Sequence, residues 1–113
     1  MDPEADGVLT NAPVRFAHVS EEEFARLLDF YGLSWQYEPQ SFTLNEQDGR
    51  ITEAFTPDFY LPALDLYIEL TTLQQRLVTE KHRKLRRFQE RYPQHQIKLL
   101  HRSDYLSLLA KYG

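Results

Sequence analysis

Apolar and polar positions along this chain repeat with two different periods, and the switches between them outline the elements. Phe24, Leu27, Leu28 and Tyr31 recur at helical spacing behind Ser20-Glu21-Glu22-Glu23, a capping-box pattern with Ser20 as N-cap and Glu23 reaching back. Gly32 ends that helix. Leu33 to Pro39 alternates with period two and continues past a bend at Pro39 towards Phe42 and Leu44, which predicts a first strand. Asn45 to Thr52 is polar, carries Asp48-Gly49, and is predicted as a loop. Two strand-like runs follow, Phe55 to Pro62 and Leu66 to Thr71, joined by a turn at Leu61 to Leu64 short enough to make an antiparallel hairpin. A helix from about Thr79 to Arg91 carries Leu85, Phe88 and Tyr92 on one stripe, with Lys81 in the same register one turn earlier. Pro93 stops it, Gln96 to His101 makes a fourth strand, and Ser103 caps a last helix whose apolar positions are Tyr105, Leu106, Leu108 and Leu109. The predicted order is α-β-β-β-α-β-α, an α/β fold with a central four-stranded mixed sheet flanked by helices.

The hairpin carries the candidate chemistry, because each of its apolar runs contains one carboxylate. Side chains alternate across a strand, so Phe55, Phe59 and Leu61 are expected on one face and Thr56, Asp58 and Tyr60 on the other. In the second run Leu64, Leu66, Ile68 and Leu70 oppose Asp65, Tyr67, Glu69 and Thr71. Asp58 and Glu69 then sit nearly diagonal on a non-core face. Two acids converging there suit a hard divalent cation such as Mg2+, which takes carboxylate, water and phosphate oxygens. The plain alternative is a pair of surface acids on a solvated sheet face.

Composition sharpens this picture at two points. The formal charge is only −4, yet residues 76–102 hold nine of the 13 Lys and Arg with two acids, Glu80 and Glu90. That segment is +7 and the remainder −11, an asymmetry that fits a polyanion-binding strip beside an acidic centre. Arg83, Arg86, Arg87 and Arg91 are the candidate phosphate contacts, with a merely solvated basic helix face as the alternative. Cysteine is absent, which excludes disulfides, thiolate metal ligands and a Cys nucleophile. His18, His82, His95 and His101 lack zinc-like spacing. The length suits one domain, expected over residues 15–113 behind a frayed tail at 1–14. No apolar run approaches the roughly 18 residues of a membrane span and no signal-peptide pattern opens the chain, so a cytoplasmic protein is expected.

The ordered motifs Ser20 to Glu23, Tyr37-Glu-Pro39, Thr56-Pro-Asp-Phe59, Ile68-Glu-Leu-Thr71, and Lys84 to Phe88 followed by Tyr92-Pro93 cover roughly residues 18–101. In order and spacing they resemble the restriction-endonuclease-like PD-(D/E)xK nuclease superfamily, and most of all its small Holliday-junction-resolving and phage endonuclease I type domains. The resemblance implies a metal-dependent endonuclease that hydrolyses DNA, branched DNA included, with Mg2+ or Mn2+ held by Asp58, Glu69 and the Leu70 carbonyl. It also implies that Glu23 on the first helix holds a second metal or a water, while Glu21 and Glu22 read as solvated. Thr71 departs from the pattern, since the family usually has a lysine there that orients the attacking water and offsets phosphate charge. In some members that lysine lies on the neighbouring helix, which makes Lys81 and Lys84 the candidates; snorkelling to solvent is the alternative for either. The rival reading is a catalytically silent nuclease-fold module that binds nucleic acid or a partner protein, a partner enzyme among them; a homodimer is a separate expectation.

Overall fold

The structure is a computed structural model in which residues 14–72 and 75–110 are described. Among them, three helices and six strands run in the order α1 (Val19–Phe30), β1 (Gln36–Tyr37), β2 (Phe42–Gln47), β3 (Arg50–Phe55), β4 (Phe59–Leu61), β5 (Leu66–Leu70), α2 (Gln75–Arg91), β6 (Ile97–Leu100) and α3 (Arg102–Ala110). The class is mixed α and β. A four-stranded sheet has the order β1-β4-β5-β6, with β1/β4 and β4/β5 antiparallel and β5/β6 parallel across the α2 connection.

The fold has two strands more than the sequence pattern predicts. The expected first strand is broken at Glu38-Pro39 into β1 and β2, and the expected loop at Asn45 to Thr52 belongs to a separate antiparallel hairpin, β2/β3. Its turn is Asp48-Gly49, both at positive φ (53° and 77°), the backbone a tight two-residue hairpin connection requires. β4 and β5 pair through Phe59↔Ile68, Tyr60↔Tyr67 and Leu61↔Leu66, as the hairpin reading anticipates.

Both faces of the four-stranded sheet are covered. Phe59, Leu61, Leu66, Ile68 and Leu70 pack with Phe24 and Leu28 of α1, Leu100 and Tyr105 on one side. On the other, Tyr67 joins Phe42, Leu44 and Phe55 of the hairpin and Phe88 of α2 in an aromatic cluster, with Phe42 and Phe88 ring centres 4.8 Å apart, edge to face. The face bearing Tyr67 and Glu69 is therefore a second core. Phe55 is buried in that second cluster, on the side opposite Phe59 and Leu61, because the chain changes sheets between β3 and β4.

Helix ends also differ from expectation. α1 begins at Val19 behind His18, which makes no side-chain cap; Glu21 supplies the backward bond, accepting from the Ala17 amide at 3.0 Å. Gly32, at φ 73°, closes the helix as expected, with Leu33 N–H donating to the Leu28 carbonyl. α2 starts at Gln75, one turn before the expected Thr79. α3 starts at Arg102, so Ser103 lies inside its first turn and Asp104 accepts from the His101 amide instead. The tail expected at residues 1–14, except Val14, lies outside the described residues, as do the side chains of Leu108 and Leu109. Among the described residues no helix is long and apolar enough to cross a membrane.

Candidate metal-binding and catalytic site

The β4/β5 register, extended by one residue, sets Asp58 beside Glu69, and the two carboxylates interlock with each other's backbone. Leu70 N–H donates to Asp58 Oδ2 at 2.9 Å, and Asp58 N–H donates to Glu69 Oε1 at 3.1 Å. Both acids are buried, Asp58 at 8% and Glu69 at 7% exposure, so the solvated-face alternative does not hold for them. The Asp58 carbonyl accepts from Glu38 N–H at 2.8 Å. Glu38 precedes Pro39 yet has φ 44°, a conformation that non-glycine residues rarely adopt, so the backbone strain at Tyr37-Glu-Pro39 lies directly against this site.

The expected Lys81 register on α2 is realised as a contact. Lys81 Nζ lies 3.0 Å from Glu69 Oε2 and 2.7 Å from the Leu70 carbonyl, donating to both. Lys84, one position round the helix, instead brings its charge to bear on Glu53 of β3. Thr71 is buried, and its backbone amide donates to the Leu100 carbonyl at 2.9 Å, which joins this end of β5 to β6.

The first-helix acid facing the pair is Glu21, not Glu23. Glu21 is 5% exposed; its Oε1 accepts from Tyr37 Oη at 2.6 Å as well as from Ala17 N–H, and its charge acts on Asp58. Glu23 instead forms a two-pronged pair with Arg102 at 2.9 and 3.0 Å and accepts from the Tyr105 hydroxyl, and Arg102 holds its carboxyl below the usual range. The phase of α1 contained this signal: Glu21 precedes Phe24 and Leu28 by three and seven residues on the buried stripe, whereas Glu23 shares the outer face with Phe30. A small cavity of about 50 Å3 lies between Glu21, Lys81 and Leu70, walled by His18, Ser20 and Thr72.

Electrostatically the site is short of positive charge. Burial, then the neighbouring Glu69 charge, pushes Asp58 up to about 8, against the opposing pull of Leu70 N–H and Lys81. Burial likewise raises Glu69, with Lys81 as the main counterweight. Three acids, Glu21, Asp58 and Glu69, thus face one ammonium. Among the described residues no group of three His, Asp or Glu side chains is arranged around a common point to hold an ion. The oxygens at this end of the hairpin are two carboxylates and the Leu70 carbonyl, with the Lys81 ammonium on Glu69 and Leu70, and hard oxygen donors of this kind suit a hydrated Mg2+ or Mn2+.

The basic strip has a different disposition from the one its sequence suggests. Arg83 pairs with Glu53 and Glu80; Arg87 donates to the Leu44 carbonyl and to Asn45 Oδ1, both at 3.0 Å; Arg91 reaches the Leu44 carbonyl at 3.1 Å. These three tie α2 to the β2/β3 hairpin. Among the described residues Arg86 alone of the four makes no such contact, and it is exposed.

Compared with protein-family models, curated proteins and solved structures, the chain finds no match. Geometry, charge and the order of the motifs therefore carry the functional reading.

Proposed function

We propose that this chain is a metal-dependent phosphodiesterase of the restriction-endonuclease-like kind, hydrolysing DNA. The observation that carries the reading is the meeting of Asp58, Glu69, the Leu70 carbonyl and the Lys81 amine at one end of the β4/β5 hairpin, with the lysine arriving from α2. Asp58, Glu69 and the Leu70 carbonyl would hold a Mg2+ or Mn2+ ion, whose chemistry there is to polarise a phosphate and acidify a water. Lys81 would take the part that Thr71 lacks the charge to play. Released from Glu69, its ammonium would orient the water and offset charge developing on the phosphate. Burial of the two acids excludes bulk water and strengthens each of these interactions. DNA as the substrate rests on the motif order and the +7 balance of residues 76–102.

A second reading, a silent module of the same fold that binds nucleic acid or a partner, is favoured by one observation. Lys81 spans Glu69 and the Leu70 carbonyl, two of the oxygens a cation would need. Cleavage decides between the two. Purified protein with Mg2+ or Mn2+ should nick linear, branched or single-stranded DNA above an Asp58→Ala control; activity equal to that control on all three substrates selects the silent module.

A further inference from the structure

An open groove of about 700 Å3 lies between α1 and β1, the edge strand of the four-stranded sheet. Phe16, Trp35 and Tyr37 line it with rings, and Asp29, Ser34 and Gln36 with polar groups. Phe16 links the set, its ring centre 4.8 Å from that of Tyr37 and 5.9 Å from that of Trp35. Two acids of α1 fix the other rings: Tyr37 Oη donates to Glu21 at 2.6 Å, and Trp35 Nε1 donates to Asp29 Oδ1 at 2.8 Å. Those acids are roughly two turns, about 12 Å, apart along the helix. The groove therefore starts at the acid that faces Asp58 and extends away from it. Its near end is tied to the site through β1 as well, because Glu38, directly after Tyr37, donates its N–H to the Asp58 carbonyl.

We infer that this groove takes unpaired bases of the DNA strand that leaves the carboxylate site, stacked against Trp35 and Phe16. The inference rests on the DNA reading proposed above. Both rings are half-buried, so each is held by the core and keeps part of its surface open. Every base has a flat π face that stacks on such a ring whatever the sequence. The polar groups suit base edges. Ser34 and Gln36 are exposed and their side chains make no hydrogen bond among the described residues, which leaves a hydroxyl and an amide that both donate and accept. Asp29 keeps its second oxygen as an acceptor for an exocyclic amino group. Among the described residues no Lys or Arg lines the groove, and Asp29 repels phosphate, so bases enter and the backbone stays outside. Arg15, next to Phe16, is exposed and pairs with no acid among the described residues, which leaves it for that backbone. A blunt duplex keeps its bases paired and stacked on one another, so the groove selects single-stranded or branched DNA.

Trp35 is the chain's only tryptophan, so its emission reports on the groove directly. The test uses the intact protein without divalent metal, so that no strand is cut. A thymidine oligonucleotide of about 12 residues should quench Trp35 emission as it binds. An abasic strand of the same length should bind through its phosphates and leave the emission unchanged. Polarisation of a labelled thymidine strand should show Trp35→Ala binding about 5- to 100-fold more weakly, with Trp35→Phe close to wild type because a ring is kept. Circular dichroism checks that Trp35→Ala folds, and the comparison of the two strands on wild-type protein needs no variant. Three results overturn the inference while sparing the DNA reading: a bound thymidine strand that leaves emission unchanged, as a groove made for a peptide would give; equal quenching by the abasic strand; or a folded Trp35→Ala that binds as the wild type does. A protein that binds neither strand at low salt contradicts the DNA reading as well.

Discussion

Asp58 sits where its charge is expensive, and its proton is therefore part of the fold's stability. Its carboxyl, pushed from 3.8 up to about 8, keeps a proton in the folded state that the unfolded chain has released. The associated stability is fully present below the unfolded value and is lost as pH rises through the folded one, so thermal stability should fall between about pH 4 and pH 8. Asp58→Asn should flatten that fall and raise the melting temperature at the alkaline end; an unchanged pH profile would contradict the burial argument. Lys81 is the complementary case. Lys81→Met strands the buried Glu69 without its counter-charge and should cost about 3 kcal/mol, the low end for breaking a buried pair because the amine is partly exposed. If a divalent cation uses the same oxygens, added Mg2+ should raise the melting temperature of Lys81→Met by more than that of the wild type, since no amine competes. At this scale the sequence showed Asp58, Glu69 and Lys81 through strand parity and helix register. It misassigned the first-helix acid, because a capping-box pattern at Ser20 to Glu23 competed with the buried stripe running through Glu21.

The α2 helix and the β2/β3 hairpin form one unit, and arginines are its latch. Arg87 spends its Nε on the Leu44 carbonyl and Asn45, while the Tyr92 hydroxyl donates to the Thr43 carbonyl at 2.8 Å. Arg87→Ala should therefore cost about 1.5 to 3 kcal/mol, the range for hydrogen bonds from a charged group, and should speed amide exchange across β2 and β3 more than in β5. Arg86→Ala should leave both unchanged. Uniform exchange after Arg87→Ala would refute the latch. The hairpin escaped prediction for a physical reason. Most of its residues are exposed or half-buried and polar, so Asn45 to Thr52 reads as loop, and only Phe42, Leu44 and Phe55 are buried. Asp48-Gly49 was the available signal, since that pair marks a tight hairpin turn when strands flank it.

At the scale of the whole molecule the sheet is a partition with a core on each side, and its polar site lies where the β4/β5 hairpin, α1 and α2 meet. Parity along β5 was legible, with Leu66, Ile68 and Leu70 towards α1 and Tyr67 towards α2. That the second face is also buried was not, because its cover comes from the unrecognised hairpin. The same closure consumes much of the basic strip. Nucleic-acid affinity should fall with salt, and Arg86→Ala should lower the salt slope by about one unit while leaving stability intact. An affinity independent of salt would remove nucleic acid from the account. The proposed part of Lys81 in phosphodiester hydrolysis beside Asp58 and Glu69 is checked by Mg2+-dependent nicking with two lysine variants that stay folded in the assay. Lys81→Met is expected to lose cleavage while still binding DNA, and Lys84→Met to cleave nearly as the wild type does. Undiminished cleavage by Lys81→Met would contradict it.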